Sequence, residues 1–150
     1  MTTGVAPAPY GLDSGGGERV SWGDVEVLIR ASAETTGGAF AVFEEHDPVD
    51  TPLHVHAHEH ELFYVLEGEH VFQVGDDEFR VGPGGMVFAP RGVPHAQRRV
   101  VARTGRVLVV TAPAGLEGFF RELATAHRDG APTADAYAAA SRRYGITWLS

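Results

Sequence analysis

The sequence predicts an all-β domain that is followed by a short helical appendage. Between residues 19 and 111, short runs of alternating apolar residues are separated by turn residues, which is the pattern of half-buried strands. Strong breakers such as the G-P-G-G segment at 82–85 divide the runs. About eight or nine short strands at a spacing of roughly ten residues have many edges, and a closed or double-sheet structure protects them economically.

The chain begins with a segment that does not share this pattern. Residues 1–17 are rich in Gly, Pro, Ala and Thr and end in three glycines. We expect residues 1–20 to form a loose arm or an extended strand, ahead of a β domain over residues 21–113. The first seventeen residues carry no Lys or Arg and no long apolar core, unlike a secretory signal, so a cytoplasmic location is expected.

The apolar runs give the order of the strands. Val25, Val27 and Ile29 alternate in the first clear run. Further runs follow along the chain at 40–43, 63–66, 71–74, 86–89 and 107–110. The aromatic residues of these runs are expected in the core of the domain: Phe63, Tyr64, Phe72 and Phe88.

Beyond the last strand the spacing becomes helical. Gly115–Arg128 places its apolar residues on one face of a helix. A second, alanine-rich helix is predicted over Thr133–Tyr144, with Thr133 as its N-cap and Gly145 as its stop. Residues 114–150 are therefore expected to pack on the β domain as C-terminal helices.

Composition excludes several classes of function. Twelve basic against twenty acidic residues give a formal charge of −8, so nucleic acid and anionic membranes are poor partners. The apolar runs are too short to cross a bilayer. The chain has no cysteine and no lysine, which excludes thiol nucleophiles, thiolate metal sites and Schiff-base chemistry.

Histidine is the residue type that points to chemistry. Four of the eight histidines fall within seven residues: His54, His56, His58 and His60. In a strand, His54 and His56 lie on the same face about 7 Å apart. Two imidazoles on one face, joined by a carboxylate from a neighbouring strand and by the later His95, form a set that binds a divalent metal and leaves positions open for substrate.

The spacing of these residues forms two motifs. The first reads H-x-H-x4-E-x6-G from His54 to Gly68, and the second reads G-x5-P-x-G-x2-H from Gly84 to His95. Fifteen residues separate Gly68 from Gly84. With both motifs in this order and at this separation, the chain resembles the cupin superfamily over about residues 22–112.

The resemblance implies a cupin-type jelly-roll β-barrel with a metal inside it. The implied ligands are His54, His56, Glu61 and His95. Because the motif tolerates three or four spacer residues, His60 stays open as a replacement for Glu61, although counting back from Gly68 favours Glu61. Val49 and Arg99 stand where the family often has Gly and Asn, and both positions bear on the substrate more than on the metal.

The wider sequence is similar to single-domain bacterial cupins of the quercetin 2,3-dioxygenase type. That similarity implies a metal-dependent dioxygenase that uses O2 to attack a flavonol-like or other enolisable aromatic or polyketide molecule. One divalent ion of Fe, Mn, Ni, Co or Cu would serve as its cofactor, and Glu61 would act as general base.

The same four implied ligands are compatible with two other functions. Similar cupins act as zinc-dependent polyketide cyclases or isomerases, and zinc has no redox chemistry. A non-enzymatic cupin that binds a small molecule is the third reading. Because jelly-roll cupins commonly pair through edge strands and an N-terminal arm, a homodimer is expected.

Overall fold

The computed structural model describes residues 6–100, 105–128 and 132–149. Eleven strands and three helices lie within these residues. The strands are β1 (Glu18–Trp22), β2 (Val25–Ala31), β3 (Ala41–His46), β4 (His54–His56), β5 (His60–Glu67), β6 (His70–Val74), β7 (Asp77–Val81), β8 (Met86–Ala89), β9 (His95–Arg99), β10 (Arg106–Ala112) and β11 (Ile146–Trp148). The helices are α1 (Ala33–Thr36), α2 (Leu116–Arg128) and α3 (Ala134–Arg143).

The strands form two antiparallel sheets. The larger sheet has six strands in the order β1-β2-β3-β10-β5-β8, and the smaller has five in the order β11-β4-β9-β6-β7. Strands that are distant in the chain are neighbours in both sheets, as in a jelly roll. This confirms the prediction of an all-β jelly roll with C-terminal helices. Among the described strands the two sheets share no hydrogen-bonded pair, so the barrel is of the double-sheet kind.

The apolar core lies between the two sheets. Phe63 from β5 and Phe72 from β6 meet there with ring centroids 4.8 Å apart, and both were expected in the core. Tyr64 and Phe88 were expected there too, but they are 39% and 49% exposed. Successive side chains of a strand point to opposite faces, so Tyr64 must lie outside where Phe63 lies inside.

The N-terminal segment runs over the larger sheet before β1 begins. Tyr10 donates its hydroxyl proton to the carbonyl oxygen of Arg30 on β2 at 2.7 Å. Gly17 has a φ of +133°, and a Cβ there would lie 2.4 Å from the carbonyl oxygen of Ile29, so no larger residue fits this close approach. Residues 1–5 of the predicted arm lie outside the described residues, and the division of the chain at residues 20 and 113 stays a prediction.

Both C-terminal helices form where the sequence predicts them. Thr133 caps α3 by accepting a hydrogen bond from the backbone N–H of Ala136 at 3.0 Å, and Gly145 follows the helix with a φ of +70°. From α2, Phe120 stacks on Trp22 at 5.6 Å between ring centroids. Across the described segments, no helix has both the length and the apolar character that a bilayer crossing requires.

A buried carboxylate fixes the start of α2. Glu117 is 1% exposed and accepts hydrogen bonds from the backbone N–H of Ala33 at 2.7 Å and from that of Gly115 at 2.8 Å. These bonds join α1 to the first turn of α2. They therefore set the position of the α2 face that packs on the larger sheet.

We expect Glu117→Ala to lower the free energy of unfolding by about 2–4 kcal/mol, because two backbone N–H groups lose their partner. Urea denaturation followed by circular dichroism measures this change. Glu122→Ala on the same helix is the control, since it removes only a surface ion pair with Arg143 and should have little effect. Equal losses in the two variants would contradict the anchoring role of Glu117.

Candidate metal centre

Four polar side chains meet inside the jelly roll. His54 and His56 come from β4, Glu61 from β5 and His95 from β9, and each is less than a tenth exposed. Each offers one ligand atom, and these four atoms all lie within 4.8 Å of one another. The structure thus brings together the residues that the sequence analysis named, and their role as metal ligands remains a prediction that rests on their chemistry.

Strand pairing explains this convergence. Alternation in β4 points His54 and His56 to the same face and leaves Val55 between them on the other. His54 pairs with His95 of β9 on one side and with Trp148 of β11 on the other. Glu61 belongs to the opposite, larger sheet. The cluster therefore bridges the two sheets across the core.

Hydrogen bonds fix the tautomers of two of the histidines. The Nδ1–H of His54 donates to the carbonyl oxygen of Pro52 at 2.7 Å. The Nδ1 of His56 lies 2.8 Å from Oε1 of Glu59, a carboxylate that is 3% exposed. Each bond leaves the lone pair of Nε2 directed into the cluster. Histidines that bind metals characteristically donate their other ring N–H to a carbonyl or a carboxylate.

Glu61 completes a set of electron-pair donors. Its Oε2 lies 2.8 Å from Nε2 of His95 and 3.2 Å from Nε2 of His56. Buried nitrogen and oxygen atoms that face one another at such distances repel unless a proton or a metal cation lies between them. Donors that share one ion at about 2.1 Å are at most ~4.2 Å apart. These two distances meet that limit, and the span of 4.8 Å within which all four atoms lie is close to it. The residues therefore fit a divalent metal.

The pKa shifts of two of the four groups, His54 and Glu61, also suit a metal. Burial lowers the pKa of His54 to about 4, and the charge of His95 adds to this. Burial alone would lower the pKa of His56 as well, but Glu61 and Glu59 outweigh it and raise that pKa. Burial alone would raise the pKa of Glu61, but His56 and His95 hold it at about 2. His54 is therefore neutral and Glu61 ionised, as metal ligands must be.

The other sequence candidates lie outside the cluster. His60, the open alternative to Glu61, accepts a hydrogen bond at Nδ1 from the backbone N–H of Arg91 at 3.0 Å. It thus points away from the interior that Glu61 enters. His58 is exposed at the turn between β4 and β5. In the structure, Glu61 rather than His60 stands beside His56 and His95.

A cavity of about 130 Å³ adjoins the four residues. His54, His56, Glu61 and His95 line one part of it, and α2, α3 and β11 supply much of the rest. Its aromatic lining consists of Trp22, Phe63, Phe119, Phe120, Tyr137 and Trp148. Sequence reasoning missed this role of the appendage. The helical spacing of Phe119 and Phe120 indicated a buried face, but it could not show what the face covers.

Trp148 links the appendage directly to the cluster. Its ring centroid lies 4.8 Å from that of His54, and its Nε1–H donates to the Oγ of Ser141 on α3 at 2.9 Å. The indole ring of Trp148 is therefore positioned by His54 of β4 and by Ser141 of α3. The position of His54 depends in this way on the end of the chain as well as on β4.

Comparison with known proteins gives the same family that the motifs suggested. Residues 42–111 match the model of a family described as the cupin domain. Quercetin 2,3-dioxygenase of Bacillus subtilis (strain 168) is 32% identical over 117 residues, which are 77% of this chain and 34% of that protein. The chain thus spans about a third of the length of this curated relative.

Solved structures resemble the fold. The cupin domain of Schizosaccharomyces pombe Cnp3 superposes with a TM-score of 0.58 at 18% identity, over 83% of each chain. A predicted oxalate decarboxylase from Thermotoga maritima superposes with a TM-score of 0.56 at 26% identity, over 64% of this chain and 90% of its own. Both likenesses support the two-sheet architecture.

We expect Glu59→Gln to weaken metal binding by about tenfold or more, because the His56 ring loses its charged partner. Competition with a chelator measures the affinity. Glu67→Gln is a matched control, since it makes the same change at an exposed carboxylate at the end of β5. An affinity for metal that is equal in the two variants would exclude an orienting role of Glu59.

Proposed function

The chain belongs to the cupin superfamily, and from that premise we propose that it is a metal-dependent oxygenase of small enolisable aromatic molecules. The observation that carries this proposal is the buried cluster of three histidines and a glutamate beside an aromatic cavity. The likeness to a quercetin 2,3-dioxygenase supports it. A flavonol-like or polyketide substrate and O2 are the proposed reactants.

We assign four residues as ligands of one divalent transition metal: His54, His56, Glu61 and His95. When bound, an ion of Fe, Mn, Ni, Co or Cu supplies Lewis-acid activation and one-electron exchange. Pro52 and Glu59 hold the rings of His54 and His56 in the required orientation.

Glu61 has a second proposed duty. Its carboxylate is ionised at neutral pH and lines the cavity, so it can accept the proton of a substrate hydroxyl as general base. This transfer would leave the substrate as an enolate. The aromatic walls exclude water from the same space, which strengthens the attraction between unlike charges there. With no lysine or cysteine in the chain, covalent catalysis through either is excluded.

A zinc-dependent cyclase or isomerase is the second candidate, and a further carboxyl group in the cavity favours it. Burial raises the pKa of Glu45 to about 7, although its hydrogen bond with Gln97 opposes this change. A group that titrates near neutral pH is suited to moving protons without O2. The metal decides between the candidates, because zinc cannot exchange electrons with O2.

We expect His54→Ala and His95→Ala to lower the metal content severalfold while the fold is kept, because each removes one of four donors. Elemental analysis and circular dichroism measure the two properties. His58→Ala, at an exposed histidine of the same run, should keep its metal. Stoichiometric metal in both ligand variants would overturn the assignment.

The identity of the metal in protein purified from its native host tests the reaction. Near-stoichiometric Fe, Mn, Ni, Co or Cu, together with O2 uptake in the presence of enolisable aromatic compounds, is the expected result. Glu61→Ala should abolish that uptake. Near-stoichiometric zinc and no O2 uptake would instead favour the cyclase or isomerase.

We further propose that the chain forms a homodimer through its edge strands and N-terminal arm, where Tyr10 and Leu12 are 50% and 42% exposed. Light scattering is expected to give about twice the chain mass of 16.0 kDa. A mass of one chain would exclude the dimer. A cytoplasmic location also stays a prediction, with which the absence of cysteine agrees.

A further inference from the structure

The cavity has a second polar end, formed by Glu45 from β3 and Gln97 from β9. Nε2 of Gln97 donates to Oε2 of Glu45 at 2.6 Å, which joins the larger sheet to the smaller. Gln97 is only 6% exposed, and its Oε1 has no hydrogen-bond partner in the described part of the chain. Neither residue belongs to the candidate metal centre.

An amide oxygen that is buried without a partner destabilises a protein, and most such atoms in native structures are satisfied. A hydroxyl group of a ligand in the cavity would satisfy Oε1 of Gln97. Glu45 can form a hydrogen bond with the same end of the ligand in either protonation state. Its pKa of about 7, raised by burial, lets the carboxylate accept from a hydroxyl or the neutral acid donate to a carbonyl.

Strand geometry gives the separation of the two polar ends. Gln97 follows His95 by two residues on β9, so both side chains point to the same face about 7 Å apart at their Cα atoms. That span suits one aromatic ring with a polar atom at either end. The six aromatic side chains that line the rest of the cavity provide apolar contacts for such a ring.

The cavity volume limits the substrate to about one ring. The space measures about 130 Å³. An apolar cavity of about 150 Å³ in another protein binds benzene, whereas pockets for drug-sized ligands measure roughly 300–1,000 Å³. A three-ring flavonol would need the helical appendage to move outward.

The charges around the cavity favour an uncharged ligand. No arginine is found among the described residues that line it, and the chain has no lysine. An anionic substrate would therefore meet the carboxylates of Glu45 and Glu61 without an arginine or a lysine to balance them. The titratable groups that line the cavity with Glu45 are Glu26, His46, His54, His56, Glu61, His95 and Tyr137.

We propose that the cavity takes an uncharged, single-ring aromatic substrate with oxygen atoms at opposite ends of the ring, one held at the candidate metal centre and the other by Glu45 and Gln97. This inference rests on the proposed function and narrows its substrate class to single-ring aromatic molecules, in place of the larger flavonol-like and polyketide candidates. Glu45 and Gln97 then determine which aromatic molecules bind tightly. The four residues of the candidate metal centre would contact every such molecule in the same way.

Calorimetric titration of the zinc-loaded protein with three probes tests the inference: phenol, hydroquinone and the flavonol quercetin. Zinc keeps the protein from oxidising the probes. We expect hydroquinone to bind about tenfold more tightly than phenol, because its second hydroxyl gains hydrogen bonds at Glu45 and Gln97. Quercetin should bind more weakly than either single-ring probe.

Substitutions of Glu45 and Gln97 test whether these residues cause the preference for hydroquinone over phenol. Glu45→Leu and Gln97→Leu should each reduce the hydroquinone-to-phenol ratio towards one and leave phenol binding and zinc content unchanged. Glu45→Gln should retain part of the ratio. Glu44→Gln is the matched control, because Glu44 is the neighbour on β3 whose carboxylate contacts Arg106 instead of the cavity. Circular dichroism checks that each variant folds.

The failures of the two proposals can be told apart. If zinc binds but hydroquinone shows no preference, or if the preference survives Glu45→Leu, the inference is wrong and the metal centre stands. Quercetin binding as tight as that of hydroquinone would overturn the size limit. If the protein takes up no zinc, the proposed function fails, and the hydroquinone preference of the metal-free protein still decides whether Glu45 and Gln97 bind an oxygen atom.

Discussion

The burial of an ionised carboxylate among three imidazoles is the constraint on which this structure depends. A charge inside a protein is tolerated only when nearby groups compensate it. Here the partners of Glu61 come from the opposite sheet, and their rings are in turn held by Pro52 and Glu59. The two sheets therefore cannot slide against each other without separating charged groups, and the register of the interior strands and the geometry of the site are fixed together.

The helical appendage contributes to the site as well as to stability. Glu117 ties the start of α2 to α1, and α2 and α3 carry aromatic side chains to the cavity wall. Trp148 then contacts His54 from the far end of the chain. The jelly roll supplies the polar cluster, and the appendage shapes the space in which a substrate would meet it.

Local patterns in the sequence predicted much of this architecture. The alternation of Val25, Val27 and Ile29 in β2, the N-cap at Thr133 and the motif spacing of His54 and His95 depend on short-range geometry, so they could be predicted from the sequence. The alternation of β5 was predicted incorrectly at Tyr64. The three-residue strands β4 and β11 were too short for periodicity to show. The inward position of Glu45 and Gln97 was equally hidden, because contact between β3 and β9 arises only when the two sheets face each other.

The placement of the two tryptophans has an optical consequence. The chain contains two of these residues, and both Trp22 and Trp148 line the cavity, one on the larger sheet and one on the last strand. Indole emission depends on the polarity around the ring, so the tryptophan fluorescence of the protein originates at the wall of this one cavity. Entry of water or of a ligand into the cavity, or its opening, should therefore change the tryptophan emission of the unlabelled protein.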